Sequence, residues 1–483
     1  MSSRSINPRT GQAFGAEFAD TTDAETQAIV AQAKIGFGAW SSAPISKRAE
    51  VLEAIADELD LSGDALVELA DLETGLGVPR LSGEVGRTSF QIREFAKAIK
   101  AGRFITPEVD ATVDAAVPVG HPELVRSFFP IGIVVVFGAN NFPFAFSVIG
   151  GDSASALAAG CAVIAKAHPS HPQTSTKVFQ IAAKVLADHG FPTGVFSLIY
   201  GVEAGVMALK SELVSAGAFT GSKNGGRALF DIAQSRENPI PFYGELGSVN
   251  PVVALSSGLA DPKSFATAYL DSLLLGNGQF CTNPSILFVP AESSVIVEIE
   301  SQIAERSPSA FLSHSTKSAH DANRAQLSNL LDSRPVLGKS AEVAGIYSAP
   351  AILKTTVGRL AANTVALATE CFGPTGLVIT YSSLPELLSV IDQLEGALVG
   401  SVFASADDDD AVAVCKAIAQ KVGRLAWNSW PTGVAVSIGQ QHGGPYPAST
   451  SSLHTSVGLH AIERFLRPVS YQNVPKEIFT QLF

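Results

Sequence analysis

Residues 131–166 read IGIVVVFGANNFPFAFSVIGGDSASALAAGCAVIAK, and their pattern decides the fold class. Ile131 to Phe137 is a short apolar run rich in β-branched residues. It suits a buried strand and falls far short of the ~20 residues a membrane helix needs. A helical pattern over 147–159 follows, then a second strand-like run over 162–166. Strand, helix, strand is a βαβ unit, because a parallel strand pair needs a long crossover. The rhythm continues with strand-like runs at 195–200, 214–220 and 240–244 and helical patterns at 172–188, 202–210 and 223–235. The fold class is therefore α/β, with a parallel sheet covered by helices on both faces. Such sheets bind ligands beyond the C-terminal ends of their strands. The segments at those ends are Gly138–Pro143, Lys166–Pro169, Gly201, Gly221-Ser222 and Glu245–Gly247.

Outward from this stretch the pattern changes. Residues 22–102 carry apolar residues at helical spacing, interrupted by Pro44, Gly63 and Gly75. Between Ala111 and Phe129, the alternation Val113, Ala115, Val117, Val119 with prolines at 118 and 122 predicts an exposed or edge hairpin. A second α/β stretch spans about 252–428, with strand-like runs at 252–255, 285–290, 397–403 and 422–427 and helical patterns between them. The acidic run Asp407–Asp410 predicts a helix start, and the tail Arg464–Tyr471 reads as extended.

Composition narrows the function. Of 483 residues, 46% are hydrophobic and 16% charged, a folded rather than disordered balance. The net charge is −12, and no segment concentrates Lys and Arg, which argues against nucleic-acid or anionic-membrane partners. The N-terminal MSSRSINP lacks the apolar core of a signal peptide, so a cytoplasmic location is expected. Cys161, Cys281, Cys371 and Cys415 are far apart, which suggests neither a zinc site nor a redox dithiol, and no metal is expected.

Three residues carry possible chemistry. Cys281 sits on a Gly/Asn-rich loop, Gly276-Asn-Gly-Gln-Phe-Cys-Thr-Asn-Pro284; by itself a free cysteine is more often a small buried hydrophobe than a nucleophile. Glu245, at a strand end, reads equally as a solvated loop charge or as a base whose pKa burial raises. Asn141 reads equally as an ordinary turn residue or as a donor at the crevice.

Together these segments resemble the aldehyde dehydrogenase superfamily along essentially the whole chain. Gly-Gln-Phe-Cys281-Thr resembles its nucleophile motif, and Gly-Glu245-Leu-Gly-Ser-Val-Asn-Pro its general-base motif. Asn-Asn141-Phe-Pro resembles its Asn-Phe-Pro signature, Phe219-Thr-Gly-Ser222 its cofactor loop, and Glu370-Cys-Phe-Gly-Pro374 its Glu-x-Phe-Gly-Pro. The resemblance implies a Rossmann-type cofactor domain over 1–110 and 131–247 and an α/β catalytic domain over 248–450. A small β oligomerisation flap over 111–130 and 451–483 completes it, and a homodimer or homotetramer is expected. The family's Rossmann variant also accounts for the missing Gly-x-Gly-x-x-Gly.

The implied roles are chemically coherent. Cys281 attacks a small-molecule aldehyde, Asn141 stabilises the oxyanion, and Glu245 activates the hydrolytic water. Lys166 and Glu370 hold the cofactor riboses, Phe372 supports the nicotinamide ribose, and Gly201, Gly221 and Ser222 lie near the pyrophosphate. Members that prefer NAD often carry a glutamate three residues after the motif lysine; here that position is Pro169. With His168 and Lys223 as possible donors to a 2′-phosphate, NADP is expected to be preferred, NAD remaining possible. Phe142, Phe280 and Pro445 are expected to line the substrate tunnel. Asn140 and Ser248 depart from the family pattern and are expected to reshape the pocket.

Four segments, 140–143, 278–284, 443–450 and 467–475, resemble a bacterial group within the family that oxidises 2,5-dioxopentanoate to 2-oxoglutarate. Thr450, Ser451 and Ser452 are expected to offer donors to its distal carboxylate. A group acting on long-chain aliphatic aldehydes shares several of these segments and is the alternative. A coenzyme A-acylating enzyme is disfavoured because Glu245 is present, and a thiol hydrolase because no histidine sits in a recognisable motif.

Overall fold

A computed structural model describes residues 2–115, 119–342, 344–360 and 363–479. The stretch at 131–166 forms the centre of a five-stranded sheet. Its strands lie in the order Phe196–Ile199, Ala162–Lys166, Ile133–Phe137, Val214–Thr220, Phe242–Glu245. All neighbours are parallel. Every residue of the two central strands is buried. Side chains alternate across a strand, so Val134 and Val136 enter one core while Ile133, Val135 and Phe137 enter another. Those two cores are the sheet's two faces, each covered by helices.

The helix expected over 147–159 begins only at Gly151. The preceding turn is tied elsewhere: one carboxylate oxygen of Glu84 accepts the N–H groups of Phe144 (2.8 Å) and Ala145 (3.0 Å). Glu84 lies on the long helix Val78–Lys100, the last of four that fill residues 23–100. The first of these starts at a capping box, Thr22 with Glu25. Before it runs a hairpin, Ser2–Asn7 with Gln12–Ala19, whose polar, exposed strands lack a clear apolar alternation.

The second sheet has seven strands. Their order is Val336–Leu337, Ala351–Thr356, Thr375–Tyr381, Ile286–Pro290, Pro251–Ala254, Ala397–Phe403, Val422–Trp427. The first pairs antiparallel and the rest parallel. The strands at 336, 351 and 375 fall in a stretch where only helices were expected. The helix after the acidic run does form, over Ala411–Ala419.

A third, antiparallel sheet joins distant parts of the chain: Leu466–Gln472 pairs with Leu124–Pro130, which pairs with Glu108–Asp110. The expected hairpin is therefore corrected. Val113 forms only an isolated bridge with His121, and the regular strand starts after Pro122. Val117 and Pro118 lie outside the described residues. In the tail, Arg464 and Phe465 belong to a short 3-10 helix and extension starts at Leu466. No helix among the described residues is long and apolar enough to cross a membrane.

Candidate active site

Cys281 follows a kinked loop between the helix Pro262–Leu274 and the strand Ile286–Pro290. Gly276, Asn277 and Gly278 all adopt positive φ (57°, 60° and 70°). A side chain on Gly278 would also collide with the Gly373 carbonyl, 2.2 Å from where its Cβ would sit. The Asn250 side-chain amide donates to the carbonyls of Cys281 (2.8 Å) and Asn283 (3.0 Å), so the loop is held from below.

Glu245 ends the edge strand Phe242–Glu245 and is buried. The segment 448–450 docks on that strand: Thr450 exchanges backbone and hydroxyl hydrogen bonds with Phe242 and Gly244. This docking brings in a residue that sequence reasoning missed. His442 Nε2 lies 2.9 Å from Glu245 Oε1 and 3.7 Å from Cys281 Sγ. The Ser456 hydroxyl donates to the other carboxylate oxygen at 2.6 Å. Ligating atoms of Glu245, Cys281 and His442 all lie within 4.8 Å of one another.

The charges follow from this packing. Burial would push the Glu245 carboxyl up, but His442, Ser456 and the Cys281 thiol more than offset it, and its pKa falls below the ordinary carboxylate value. The expectation of a raised pKa is thereby corrected. Burial, and then the Glu245 charge, push the Cys281 thiol well above its usual range. The packing therefore favours the protonated thiol and the ionised carboxylate.

Asn141 is buried beside them, its amide donating to the Gln279 carbonyl at 2.9 Å. Asn141, Cys281, Glu245, Gly221, Ser222, Glu370, Phe372 and Phe142 line one cavity of about 370 Å³. Phe280 stands behind that wall, edge-on to Phe142 with ring centroids 5.2 Å apart. Pro445 is not in the wall either; its carbonyl accepts the Ala448 N–H and packs over Gly396. Thr450, Ser451 and Ser452 are likewise absent from the lining, and the Thr450 hydroxyl is spent on the strand.

An adjoining cavity of about 290 Å³ shares Ser222, Gly247 and Glu370 and adds Lys223 and Glu395. The ammonium of Lys223 pairs with Glu395 at 2.7 Å. A carboxylate therefore stands beside Lys223, one of the two expected phosphate donors. A Cβ on Gly247 would lie 2.1 Å from a Glu370 oxygen, so glycine here lets the Glu370 carboxylate lie close against the backbone. Burial pushes the Glu370 carboxyl up to about 7. Lys166, His168 and Gly201 lie outside both linings but at the same sheet edge, where Lys166 registers with Phe137 and Ile199. Burial lowers the Lys166 ammonium to about 8, and burial together with Lys166 holds His168 neutral. Of the two departures, Asn140 lines the main cavity, whereas Ser248 turns away to bond Asn250 and Leu398.

The Cys281 thiol and the buried Glu245 carboxylate thus meet in one cavity between the two α/β sheets. Residues 2–470 match the aldehyde dehydrogenase family, and the chain belongs to it, as an oxidoreductase acting on aldehydes. It is 39% identical over 487 residues to α-ketoglutaric semialdehyde dehydrogenase 2 of Azospirillum brasilense, covering 99% of this chain and 92% of that one. It is 35% identical over 474 residues to α-ketoglutaric semialdehyde dehydrogenase of Acinetobacter baylyi, covering 97% and 90%. Among solved structures, the aldehyde dehydrogenase KauB of Pseudomonas aeruginosa superposes with a TM-score of 0.83 at 22% identity over 98% of this chain and 93% of that one.

Proposed function

We propose that the protein oxidises 2,5-dioxopentanoate to 2-oxoglutarate with a nicotinamide cofactor, through a covalent adduct on Cys281. The placement of His442 between the Cys281 sulfur and the Glu245 carboxylate carries this reading. The His442 Nε2–H donates to Glu245 and lies 3.7 Å from the sulfur, where it steadies the thiolate that attacks the aldehyde carbon once the thiol proton has passed to solvent. The Asn141 amide and the Cys281 backbone N–H stabilise the oxyanion of the thiohemiacetal. Once hydride has left, the acyl group remains on Cys281 as a thioester. Glu245, held by His442 and Ser456, then takes the proton of the water that hydrolyses it, which favours hydrolysis over transfer to coenzyme A.

The residues at the sheet edge fit a dinucleotide. Gly201, at φ +92°, and Gly221 leave bare backbone where strands end, and Gly247 leaves clearance beside Glu370. Lys166 can donate to a ribose, Glu370 accept from one, and Phe372 support the nicotinamide ribose. A bound nicotinamide supplies the hydride acceptor. NADP is preferred and NAD possible: Lys223 and the loop of His168 can donate to a 2′-phosphate, with the Glu395 pairing of Lys223 setting a limit on the preference.

The substrate assignment is supported by the two relatives at 39% and 35% identity, whose names carry that semialdehyde. One experiment tests substrate and cofactor together: kcat/KM for 2,5-dioxopentanoate, glutarate semialdehyde, hexanal and decanal, each with NADP⁺ and NAD⁺. The semialdehydes are expected to lead, with NADP⁺ ahead. Decanal equalling 2,5-dioxopentanoate would replace the assignment with the fatty-aldehyde reading. A preference for NAD⁺ of about tenfold or more would reject the cofactor assignment.

The sheet that pairs Leu466–Gln472 with Leu124–Pro130 ends in the exposed strand Glu108–Asp110. An open strand edge invites addition to a neighbour's sheet, which supports a homodimer or a dimer of dimers built on this flap. Light scattering is expected to give twice or four times the chain mass, and a monodisperse monomer would reject the flap's role.

A further inference from the structure

The residues expected to receive a substrate carboxylate lie outside the cavity lining, but behind its wall, though not in the lining itself, stand three half-buried arginines, Arg80, Arg87 and Arg424, which form no ion pair among the described residues. Arg80, Glu84 and Arg87 occur at spacings of four and three on the helix Val78–Lys100, so they share one face. That face meets the Asn141–Phe146 segment. Arg80 donates to the Asn141 carbonyl at 2.5 Å and lies between the rings of Phe142 (4.8 Å) and Phe280 (4.6 Å). Arg87 lies 5.0 Å over the ring of Phe146 and reaches the Val434 carbonyl at 3.5 Å.

Arg424 approaches from the strand Val422–Trp427. It donates to the carbonyls of Pro431 (2.5 Å) and Gly433 (2.9 Å), and the Gly433 N–H donates in turn to the hydroxyl of Thr282, beside the nucleophile. Arg87 and Arg424 thus grip one loop, 431–434, from two sides. Neither is in the cavity lining; Arg87 adjoins it through the ring of Phe146, and Arg424 through Gly433 and Thr282.

Arg80 Nε and Nη1, Arg87 Nη1 and Arg424 Nε are buried with no hydrogen-bond partner. None of the three arginines forms an ion pair among the described residues. Glu84 is a poor counter-charge, because burial pushes its carboxyl up and its second oxygen is also unpartnered. Buried cations with unused donors are costly unless an anion arrives. A guanidinium presents its N–H groups in the fork that a carboxylate fits.

We propose that Arg87, with Arg424 beside it, anchors the distal carboxylate of the aldehyde substrate, while Arg80 braces the aromatic wall. This rests on the reading that the substrate is a short semialdehyde. In a five-carbon chain the carboxylate lies roughly 5 Å from the aldehyde carbon, by ordinary C–C bond lengths. Phe146 lines the cavity that holds Cys281 and Arg87 lies over its ring, so the anchor stands one side chain from the space a chain of that length would fill. A long aliphatic chain would have to pass these cations with nothing to offer them.

The test compares glutarate semialdehyde with pentanal, chains of equal length that differ in the terminal carboxylate. For Arg87→Met the acid-to-pentanal ratio of kcat/KM is expected to fall about 100-fold, mainly through KM of the acid. Arg87→Lys should recover part of the loss. Equal falls for both substrates, or an unchanged ratio, would overturn the assignment. A second measurement needs no variant: glutarate should compete with pentanal on the wild-type enzyme, and glutaramide should not. If glutarate competes but the wild type does not favour acids, the substrate reading fails and the anion site stands. If the wild type favours acids while glutarate fails to compete, the site is wrong and the substrate reading survives.

Discussion

Cys281→Ala is expected to oxidise no aldehyde: kcat/KM should fall by at least about 10⁴-fold, because no other group can form the covalent adduct. The other thiols are unsuited. Cys161 is committed to the Phe465 carbonyl and Cys415 lies on the helix Ala411–Ala419, neither lining the cavity; Cys371 does line it, but only Cys281 has His442 beside its sulfur. The alanine variant should still bind cofactor, since the sheet edge and Glu370 are untouched and the loop is held by Asn250 through the backbone of residue 281. Calorimetric titration with NADP⁺ should give a Kd within about threefold of the wild type. A variant that kept turning over would remove Cys281 from the mechanism. One that lost cofactor binding as well would show that the substitution had damaged the site rather than the chemistry.

Glu245→Gln separates the two halves of the reaction. A first turnover should survive as a burst of reduced cofactor near one equivalent, with steady turnover then lower by about 10³-fold, within the range for a lost general base. The amide keeps the shape at His442 and Ser456 but removes the charge. That charge raises the Cys281 pKa, so its loss should move thiol alkylation by iodoacetamide to lower pH. The sign is fixed by the geometry: an anion near the sulfur opposes the thiolate, and removing it favours the thiolate. Absence of the burst would place Glu245 in the first step. An alkylation profile displaced to higher pH would contradict the charge assignment.

What could be read from the sequence was whatever short-range pattern determined. The central strands were legible because burial on both faces makes them continuous apolar runs, as at 131–137 and 162–166. Ala351–Thr356 was not, because Lys354 and Thr356 are exposed and break the run. The N-terminal hairpin was hidden by its polar surface. Cys281, Glu245 and Asn141 announced themselves through local motifs. His442 did not: in Gln440-Gln-His-Gly-Gly444 nothing local marks a partner for the thiol, and its role exists only because the fold carries it to residues 161 and 197 positions away. Pro445 was placed by family position alone; in the structure its carbonyl packs over Gly396, outside the lining of the cavity that holds Cys281. The arginine face was likewise silent, since spacings of four and three on a helix look like any solvated stripe until the neighbouring rings and carbonyls are seen.

The pairing of Leu466–Gln472 with Leu124–Pro130, together with the reach of Ser456 back to Glu245, has a consequence for biosynthesis. A ribosome releases the nucleophile's loop long before it makes the residues that surround it. While the chain lacks 442 and 456, the sulfur has no histidine and the carboxylate no hydroxyl, and the middle strand keeps an open edge. Contacts so distant along the chain form slowly and late. The surroundings of the nucleophile's loop are thus completed only by the final segment of the chain, which also supplies the strand that closes the third sheet.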